Sequence, residues 1–397
     1  MPASLVELVS KPAAALGSSV ARGRDGVLHY GGLAPSLTEL LDIRVHRYAH
    51  REAVVEPGGQ RLTYRELWGR AARVAGGLLE HGIGLGDRVG IDLPNGVRWV
   101  EAFLGALLSG AVPVPLHDGC CTGERDQVLA DSALDYVLDD ALPTGTAFID
   151  DGASLSEVAL LCYTRGIAGR PKGVELTNEN LLSAIESVVR ALALPADGIR
   201  NLVLLPFAHA TGCVDQLLPT LAVGGTVITA AVDDVPKVLA TERIDVLTAG
   251  PQTLAQLTGG ASVRQLCCSG GILDQDTTAA VLQAFPGARL CALWGATETS
   301  GIGLLLSHEG ALTHPGSAGV PFGGTEFALW GPDAGHGIGE LLCRGPNVTR
   351  GYWNDPDASR KMFTDNWFHT GELARIDAGG FVRLLGSVEQ PLAQAVE

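Results

Sequence analysis

The chain alternates short apolar segments with segments of helical hydrophobic spacing, and this alternation constrains its fold more than any other feature. Helical spacing covers 37–46 and 63–81, and the second stretch opens with Thr63-Tyr64-Arg65-Glu66, a capping-box pattern. Further helices are predicted over 99–108 and 180–192, and the predicted strands are 88–93, 111–116, 158–163, 202–205, 226–229, 246–249, 266–269 and 290–294. Strands that alternate with helices predict an α/β fold with doubly wound, largely parallel sheets.

The sequence changes character near residue 315, where Pro and Gly become frequent, helical spacing ends and short β segments appear at 326–330 and 340–344. We therefore expect a separate β-rich, barrel-like subdomain after two α/β subdomains. The predicted units are a loose N-terminal arm (1–33), α/β subdomains (34–205 and 206–310), a β-rich subdomain (311–386) and a tail (387–397).

Composition excludes several classes of protein. Hydrophobic residues make up 46% of the 397 residues and charged residues 18%, which argues against intrinsic disorder. The net charge of −16 argues against nucleic acid and anionic membranes as partners. The sequence contains no uninterrupted apolar run of about 18 residues, so it predicts no membrane span. It also shows no signal peptide. The eight cysteines form no C-x-x-C metal motif. We expect a cytoplasmic protein.

One glycine-rich loop is the strongest local indication of chemistry. The predicted strand ending at Tyr163 leads into a loop with Gly166, Gly169 and Gly173, and the loop contains Lys172, one of only four lysines in the chain. Glycines let backbone N–H groups surround an anion, and lysine adds a positive charge. The spacing differs from the Walker pattern. The sequence of this loop, taken by itself, fits either a phosphate-binding loop or an ordinary surface turn.

The segment Tyr163–Gly173 resembles the phosphate loop of the adenylate-forming superfamily, which comprises acyl-CoA synthetases, peptide-synthetase adenylation domains and luciferases. Five further segments resemble motifs of that family in the same order. They are Pro206–Gly212, Ser269-Gly270-Gly271, Trp294-Gly295-Ala296-Thr297-Glu298, Gly339-Glu340-Leu341 with Arg350-Gly351-Tyr352, and Trp367–Leu373. The resemblance extends from about Ser36 to Gly386 and implies the large N-terminal domain of that family, without its mobile C-terminal lid domain.

The resemblance also implies roles for individual residues. Lys172, His209, Thr297 and Glu298 would be catalytic, with His209 at the carboxylate pocket, Thr297 at the α-phosphate and Glu298 holding Mg²⁺. The nucleotide would contact Thr164, Arg165, Gly166, Gly169, Gly270, Gly271, Trp294, Gly295, Thr297 and Glu372. Of these, Trp294 would face adenine and Glu372 would accept the ribose hydroxyls. Without the resemblance, the usual interpretation of His209 and Trp294 is that they are core residues, and Glu298 could be an acid at a helix N-terminus.

The implied function is activation of a carboxylic acid by adenylation with ATP and Mg²⁺, in bacterial secondary metabolism. Coenzyme A or a phosphopantetheine thiol would accept the acyl group. The implied partners are a small carboxylic acid and either an acyl-carrier protein or a lid domain supplied by another chain.

Three departures from the family pattern qualify this function. Arg165, Ile167 and Ala168 replace hydroxyl residues of the phosphate loop, so AMP should bind better than ATP. Arg165 would either compensate for them with its charge or fill the phosphate pocket by pairing with an acid such as Glu298. The family's hinge Gly-Arg-x-Lys-Asp is here Gly386–Gln390, with Ser387 in place of Arg. The chain also stops where relatives continue into the lid, and we expect it to be naturally short. The alternative function is a non-adenylating relative that binds an acyl group, an acyl-adenylate or a carrier protein.

Overall fold

The computed structural model describes residues 4–8, 20–117, 122–164, 169–257, 259 and 262–388. Its helices are α1 (Leu37–Tyr48), α2 (Tyr64–Glu80), α3 (Val97–Leu108), α4 (Thr122–Ser132), α5 (Asn178–Ala191), α6 (Ala210–Gly212), α7 (Leu218–Ala222), α8 (Val235–Thr241), α9 (Pro251–Gln256), α10 (Gln275–Ala284), α11 (His308–Thr313) and α12 (Pro356–Met362). A π-helical segment, Cys213–Leu217, joins α6 to α7, and 3₁₀ turns span Val232–Asp234, Thr297–Thr299 and Ala334–His336.

The strands are β1 (Ser4–Leu8), β2 (Val20–Arg22), β3 (Leu28–Tyr30), β4 (Glu52–Val55), β5 (Arg61–Thr63), β6 (Arg88–Ile91), β7 (Val112–Pro115), β8 (Tyr136–Leu138), β9 (Val158–Tyr163), β10 (Gly173–Thr177), β11 (Arg200–Val203), β12 (Thr226–Ile228), β13 (Val246–Ala249), β14 (Gln265–Ser269), β15 (Arg289–Trp294), β16 (Leu304–Leu306), β17 (Val320–Pro321), β18 (Glu326–Gly331), β19 (Ile338–Arg344), β20 (Phe363–Thr364), β21 (Trp367–Ile376) and β22 (Val382–Ser387).

A nine-stranded sheet forms the centre of the molecule, in the order β17-β16-β15-β14-β13-β11-β12-β4-β5. Its middle strands pair in parallel, whereas β5, β16 and β17 at the two edges pair antiparallel. Neighbouring residues along a strand enter different cores: Cys267 belongs to one cluster and Cys268 to another. Because side chains alternate across a sheet, apolar layers cover both faces, as a doubly wound fold requires.

Two smaller sheets lie beside the central one. The strands β6, β7 and β8 form a parallel sheet in the order β7-β6-β8. The strands β9 and β10 form an antiparallel pair on either side of the glycine-rich loop. Residues of α2, α3, β6 and β9 share one large apolar cluster with residues of the central sheet. The loop therefore extends from a well-packed base.

A third unit is the β-rich sheet β1-β18-β19-β21-β20, with β22 paired to β21. Its apolar cluster includes Phe327, Leu341 and Phe368, and Trp294 from the end of β15 packs against it. Contact through Trp294 brings this sheet next to the carboxyl edge of the central sheet.

The predicted α/β fold is confirmed, and the predicted capping box is present at the start of α2, where Thr63 and Glu66 bond reciprocally. Two described pieces of the predicted loose arm are strands: β1 pairs with β18, and β2 pairs with β3. The central sheet also takes β4, β5 and β11 from the first predicted α/β subdomain, so the boundary near residue 205 stays a prediction. No helix within the described part of the chain could span a membrane.

Candidate active site

The candidate site lies at the carboxyl edge of the central sheet, where the parallel strands β11, β13, β14 and β15 end side by side. Strand β11 leads to the segment containing His209, β14 ends at Ser269, and β15 ends at Trp294. The register pairs Ser269 with Leu293, so the segments that follow β14 and β15 emerge next to each other. In open α/β sheets, ligands bind at this edge.

The stem of the glycine-rich loop is closed by two hydrogen bonds between Thr164 and Lys172. The Thr164 N–H donates to the Lys172 carbonyl at 3.0 Å, and the Lys172 N–H donates to Thr164 Oγ1 at 3.1 Å. Gly169 has φ = +152°, a backbone conformation that favours glycine. Arg165 and Gly166, with Ile167 and Ala168, lie outside the described residues.

A compact group of Lys172, Tyr352 and Glu298 forms the polar centre of the site. The Tyr352 hydroxyl donates to Glu298 Oε1 at 2.7 Å. The Lys172 ammonium lies 5.2 Å from the centre of the Tyr352 ring, within cation–π range. Burial raises the pKa of Glu298, while the Tyr352 hydrogen bond and the Lys172 charge act in the opposite direction. Glu298 is thus a buried carboxyl that an added cation would stabilise in its charged form.

Local backbone geometry fixes Glu298 in place. The Thr297–Thr299 turn is capped by the Ala296 N–H, which donates to Thr299 Oγ1 at 2.9 Å. The Glu298 carbonyl accepts from the Thr349 N–H at 2.8 Å. A Cβ on Gly295 would approach the Gly301 backbone to 2.3 Å, so only glycine fits between Trp294 and this turn.

Trp294 is partly buried and packs against Phe327, with ring centroids 6.3 Å apart. One side of its indole therefore rests on the β-rich sheet. Gly270 adopts φ = +81° in the turn after β14, and a Cβ on Gly271 would lie 2.8 Å from Pro251 Cγ. The positive φ of Gly270 and the close approach of Gly271 to Pro251 therefore both favour glycine in this turn.

Glu372 lies on β21, in the same sheet against which Trp294 packs. Its backbone N–H donates to Thr370 Oγ1 at 3.1 Å, and burial raises the pKa of its carboxyl. The turn before it is held by Glu340, whose Oε1 accepts from the Gly371 N–H at 3.3 Å. Glu340 Oε2 also lies 3.1 Å from Nδ1 of the buried His369.

His209 lies at the start of α6, and its N–H donates to the Pro206 carbonyl at 3.1 Å. Its ring lies 4.2 Å from the ring of His117, which follows β7. Gly212 permits this sharp turn, since a Cβ there would come within 2.1 Å of the Pro206 oxygen. A small cavity is lined by both histidines and by Thr164, so His209 shares this space with the stem of the glycine-rich loop.

The structure joins some of the predicted residues directly and others through packing. Lys172 and Glu298 both contact Tyr352. The family resemblance places Tyr352 in a motif but gives it no role. His117 was missed entirely, since a single histidine after a strand carries no recognisable pattern. The partner of Glu298 within the described chain is Tyr352. The alternative in which Arg165 pairs with an acid such as Glu298 stays untested, because Arg165 lies outside the described residues.

No group of three or more His, Cys, Asp or Glu residues suited to a metal ion occurs among the described side chains. Glu298 would therefore be a single protein ligand for a metal. Mg²⁺ is commonly held by one or two carboxylates together with substrate phosphates. Glu298 as the magnesium ligand stays a prediction.

Known proteins share this architecture. The sequence profile of the AMP-binding enzyme family matches residues 41–154 and 147–353. A feruloyl-CoA synthase of Amycolatopsis sp is 32% identical over 394 residues, covering 89% of this chain and 79% of that protein. A long-chain-fatty-acid–CoA ligase of Mycobacterium tuberculosis is 29% identical over 381 residues, covering 83% and 74%.

Solved structures agree with these sequence relatives. The N-terminal domain of FACL13 from Mycobacterium tuberculosis superposes with a TM-score of 0.81 at 26% identity, covering 89% of this chain and 100% of that one. The o-succinylbenzoate coenzyme A synthetase of Bacillus subtilis in complex with AMP also gives a TM-score of 0.81 at 26% identity, covering 89% and 79%. The chain belongs to the AMP-binding enzyme family and is a relative of its acyl-CoA ligases.

Proposed function

We propose that this protein activates a small carboxylic acid by adenylation, the first half-reaction of an acid–thiol ligase. A carboxylate oxygen of the acid attacks the α-phosphorus of ATP, the bond from that phosphorus to the bridging oxygen breaks, and pyrophosphate leaves. The observation that carries this proposal is the group formed by the buried Glu298 and Tyr352 and the partly buried Lys172, in which Glu298 lies in the turn that follows Trp294 and the strand β15. In this group, the carboxylate of Glu298 can bind a cation, and the ammonium of Lys172 can offset the charge of a phosphate. Trp294, at the end of β15, adds an aromatic face.

The substrate phosphates and the acid are both anions, so the site must offset their repulsion. Lys172 supplies a positive charge at the base of the glycine-rich loop, and the hydroxyl of Thr297, in the same turn as Glu298, would contact the α-phosphate. A Mg²⁺ ion held by Glu298 would neutralise phosphate charge. His209 would orient the carboxylate of the acid. Holding both reactants in line supplies much of the rate enhancement in such reactions.

The remaining predicted residues would bind the nucleoside. Trp294 would stack on adenine, because its indole is partly exposed and is supported by packing against Phe327. The turn Gly270–Gly271 would lie along the nucleotide, and Glu372 would accept the two ribose hydroxyls. An ionised carboxylate can accept hydrogen bonds from both ribose hydroxyls. These bonds would lower the pKa of Glu372, against the effect of burial, which raises it.

The acceptor of the acyl group would be the thiol of coenzyme A or of a phosphopantetheine arm on a carrier protein. The relatives named as CoA ligases support the first acceptor. A lid domain from another chain would supply the adenylation lysine and complete the thiol tunnel. We expect the acid to belong to bacterial secondary metabolism.

A trapping reaction tests adenylation directly. The protein is incubated with ATP, Mg²⁺ and single acids, both aromatic and aliphatic, and hydroxylamine captures any acyl-adenylate as a hydroxamate. We expect hydroxamate with at least one acid, and strong loss of it in Glu298→Ala. Arg289→Ala is the matched control, because Arg289 pairs with Glu309 on the exposed surface at 2.8 Å. Equal hydroxamate from wild type and Glu298→Ala would contradict the assigned role of Glu298.

The second candidate function is binding of an acyl-adenylate or acyl group without adenylation. The loop residues Arg165, Ile167 and Ala168 favour it, because two of these three side chains cannot donate to the β- and γ-phosphates. Rebuilding the loop with Arg165→Ser, Ile167→Thr and Ala168→Thr distinguishes the two functions. An adenylating enzyme should give more hydroxamate after this change, whereas a binding module should gain ATP affinity and give none.

A further inference from the structure

Buried polar side chains lie beneath the carboxyl edge of the central sheet, around the π-helical segment Cys213–Leu217. None of them is more than 2% exposed; they are Asn201, Asp215, Gln216, Thr220, Thr248 and Ser269. Four of them, Asn201, Gln216, Thr220 and Thr248, hydrogen-bond to one another, and we call these four residues the closed set. Gln216 Oε1 accepts from Thr248 Oγ1 at 2.9 Å, and Asn201 Nδ2 donates to Thr220 Oγ1 at 3.0 Å. This set joins α7 and the π segment to the sheet.

Asp215 stands apart from that set. Its Oδ2 accepts one hydrogen bond, from the Ser269 hydroxyl at 3.1 Å, and its Oδ1 has no partner within the described chain. Burial raises the pKa of this carboxyl well above its ordinary value. A buried carboxyl oxygen without a partner destabilises a fold, and an apolar side chain of similar shape would avoid that penalty. Stability alone therefore does not account for Asp215.

The position of Asp215 is where three parts of the candidate site meet. It lies on the helical segment that continues from His209. Its hydrogen-bond partner Ser269 directly precedes the Gly270–Gly271 turn. Its Oδ1 also packs against Gly301, where an added Cβ would approach that oxygen to 2.2 Å. Gly301 follows the turn that carries Glu298.

We propose that Asp215 is a positioning residue whose carboxyl fixes the Ser269–Gly271 turn and the Gly301 turn relative to His209. It touches no reacting atom. Through Ser269 it sets the backbone beside the nucleotide, and through Gly301 it limits how closely the Glu298 turn approaches the helix. The inference rests on the proposed function, because it assigns the nucleotide to the Ser269–Gly271 turn.

The π-helical geometry supports this role. A π segment inserts an extra residue into a helix and redirects the side chains that follow, and such segments are frequent at functional sites. Here it spans Cys213–Leu217, all five residues of which are buried, and it carries both Asp215 and Gln216. Gln216 completes the structural set, while Asp215 reaches the turn after β14.

The test compares Asp215→Leu, Asp215→Asn and Thr248→Val with the wild-type chain. Leu keeps the branching of Asp but cannot accept from Ser269, whereas Asn can. Thr248→Val removes a hydrogen bond from the closed set and leaves the Asp215–Ser269 bond intact. The measurements are the melting temperature, AMP affinity by calorimetry, and amide hydrogen exchange at residues 269–271 and 301.

We expect Asp215→Leu to bind AMP about tenfold more weakly, without a lower melting temperature, because misplaced binding groups lose affinity steeply. Exchange at residues 269–271 and 301 should become faster. Asp215→Asn should keep the AMP affinity and the hydrogen-exchange rates of the wild-type chain. Thr248→Val should lower the melting temperature while leaving AMP affinity unchanged. If Asp215→Leu does not fold, Ser269→Ala serves in its place, since it removes the same hydrogen bond.

Two results would overturn the inference: unchanged hydrogen exchange at these turns in Asp215→Leu, or the same loss of affinity in Thr248→Val. Failure of the wild-type chain to bind AMP would instead contradict the proposed function. In that case the hydrogen-exchange comparison still decides the role of Asp215, because it requires no nucleotide.

Discussion

Tyr352 is the residue whose role the structure adds most clearly to the sequence pattern. Its hydroxyl donates to Glu298, and its ring lies under Lys172. A sequence motif can place a tyrosine near a site, but only the fold shows that it joins two chain segments far apart in sequence. Tyr352 reaches Glu298 because the Gly351–Trp353 segment runs beside β10, where Val174 and Tyr352 form an isolated bridge.

Removing this hydroxyl should impair adenylation more than folding. Tyr352→Phe leaves the ring under Lys172 but deprives the buried Glu298 of a donor, so the carboxylate becomes harder to ionise. A hydrogen bond to a charged group is worth about 1.5–3 kcal/mol, so activity should fall roughly ten- to hundredfold. The measurement is hydroxamate formation at saturating acid.

Tyr30→Phe is the matched control for this change. Tyr30 is also buried, and its hydroxyl bonds Ser187 Oγ at 2.8 Å, away from Glu298. It should lose comparable stability and keep full activity. Equal activity losses in the two variants would assign Tyr352 a structural role only.

The raised pKa of Glu298 also predicts how stability depends on pH. Burial makes the folded pKa higher than the ordinary value of 4.5, so between these two values the folded state binds more protons than the unfolded state. Stability contributed by this group therefore falls as pH rises through that window. Glu298→Gln should raise the melting temperature at pH 7 and leave it nearly unchanged at pH 4. A lower melting temperature at pH 7 would show that the carboxylate is well compensated without a cation.

At the scale of elements, the hairpin of β2 and β3 is held to the rest of the chain by His29. Its Nδ1 lies 2.5 Å from Glu179 Oε1 at the start of α5, and its Nε2 lies 3.0 Å from Asp25 Oδ2. Burial lowers the pKa of His29, but the hydrogen bonds that its ring donates to Glu179 and Asp25, together with their charges, outweigh that effect, and the net pKa is raised. When the ring is charged, both nitrogens carry protons and each can donate to one of these carboxylates.

This pairing should stabilise the protein only while His29 is charged. The contribution is complete below the ordinary pKa of 6.5 and is lost as pH rises through the higher folded value. His29→Gln should lower the melting temperature at pH 6 and have a much smaller effect at pH 9. His46→Gln, at a side chain 77% exposed on α1, is the control and should change neither value. An equal loss at both pH values would contradict the ionic role.

A network of two arginines and two glutamates ties the β4–β5 edge to the loops around β11. Arg61 bonds Glu52 at 2.7 Å and Glu242 at 2.5 Å, and Arg200 bonds the same two carboxylates at 2.7 and 2.6 Å. The hydrogen bond from Arg61 is the main cause that lowers the pKa of both glutamates. Arg61→Leu should reduce the unfolding free energy by roughly 1 kcal/mol, and less at high salt, because surface networks are screened. Urea unfolding at two salt concentrations measures this, and a loss independent of salt would point to packing instead.

The elements were largely predictable because their periodicity is local. The apolar spacing of α2 and the Thr63–Glu66 capping box are set by residues close in sequence. The predicted strand at 158–163 matches β9, since an uninterrupted apolar run leaves few alternatives. The pairing of β1 with β18 was missed, because it joins segments more than 300 residues apart and β1 carries no alternating pattern of its own. The same holds for Asp215, whose partners come from other strands.

At the scale of the whole molecule, the candidate site contains residues of the central sheet, the β9–β10 pair and the β-rich sheet. Nucleotide binding should therefore stabilise all of them together. We expect AMP to raise the melting temperature more than ATP does at equal concentration, because Ile167 and Ala168 offer no side-chain donors to the outer phosphates. Differential scanning fluorimetry with AMP, ATP and pyrophosphate measures this. A larger shift with ATP would contradict the expected preference.

The most direct test of adenylation is acid-dependent exchange of labelled pyrophosphate into ATP, measured on the wild-type chain with Mg²⁺ and a panel of aromatic and aliphatic acids. Exchange requires reversible formation of an acyl-adenylate and no thiol acceptor. We predict exchange with at least one acid, and its loss in Glu298→Ala with AMP binding retained. Absence of exchange with every acid, in a chain that still binds AMP and acyl-sulfamoyl adenosine, would contradict adenylation and favour the non-adenylating binding module.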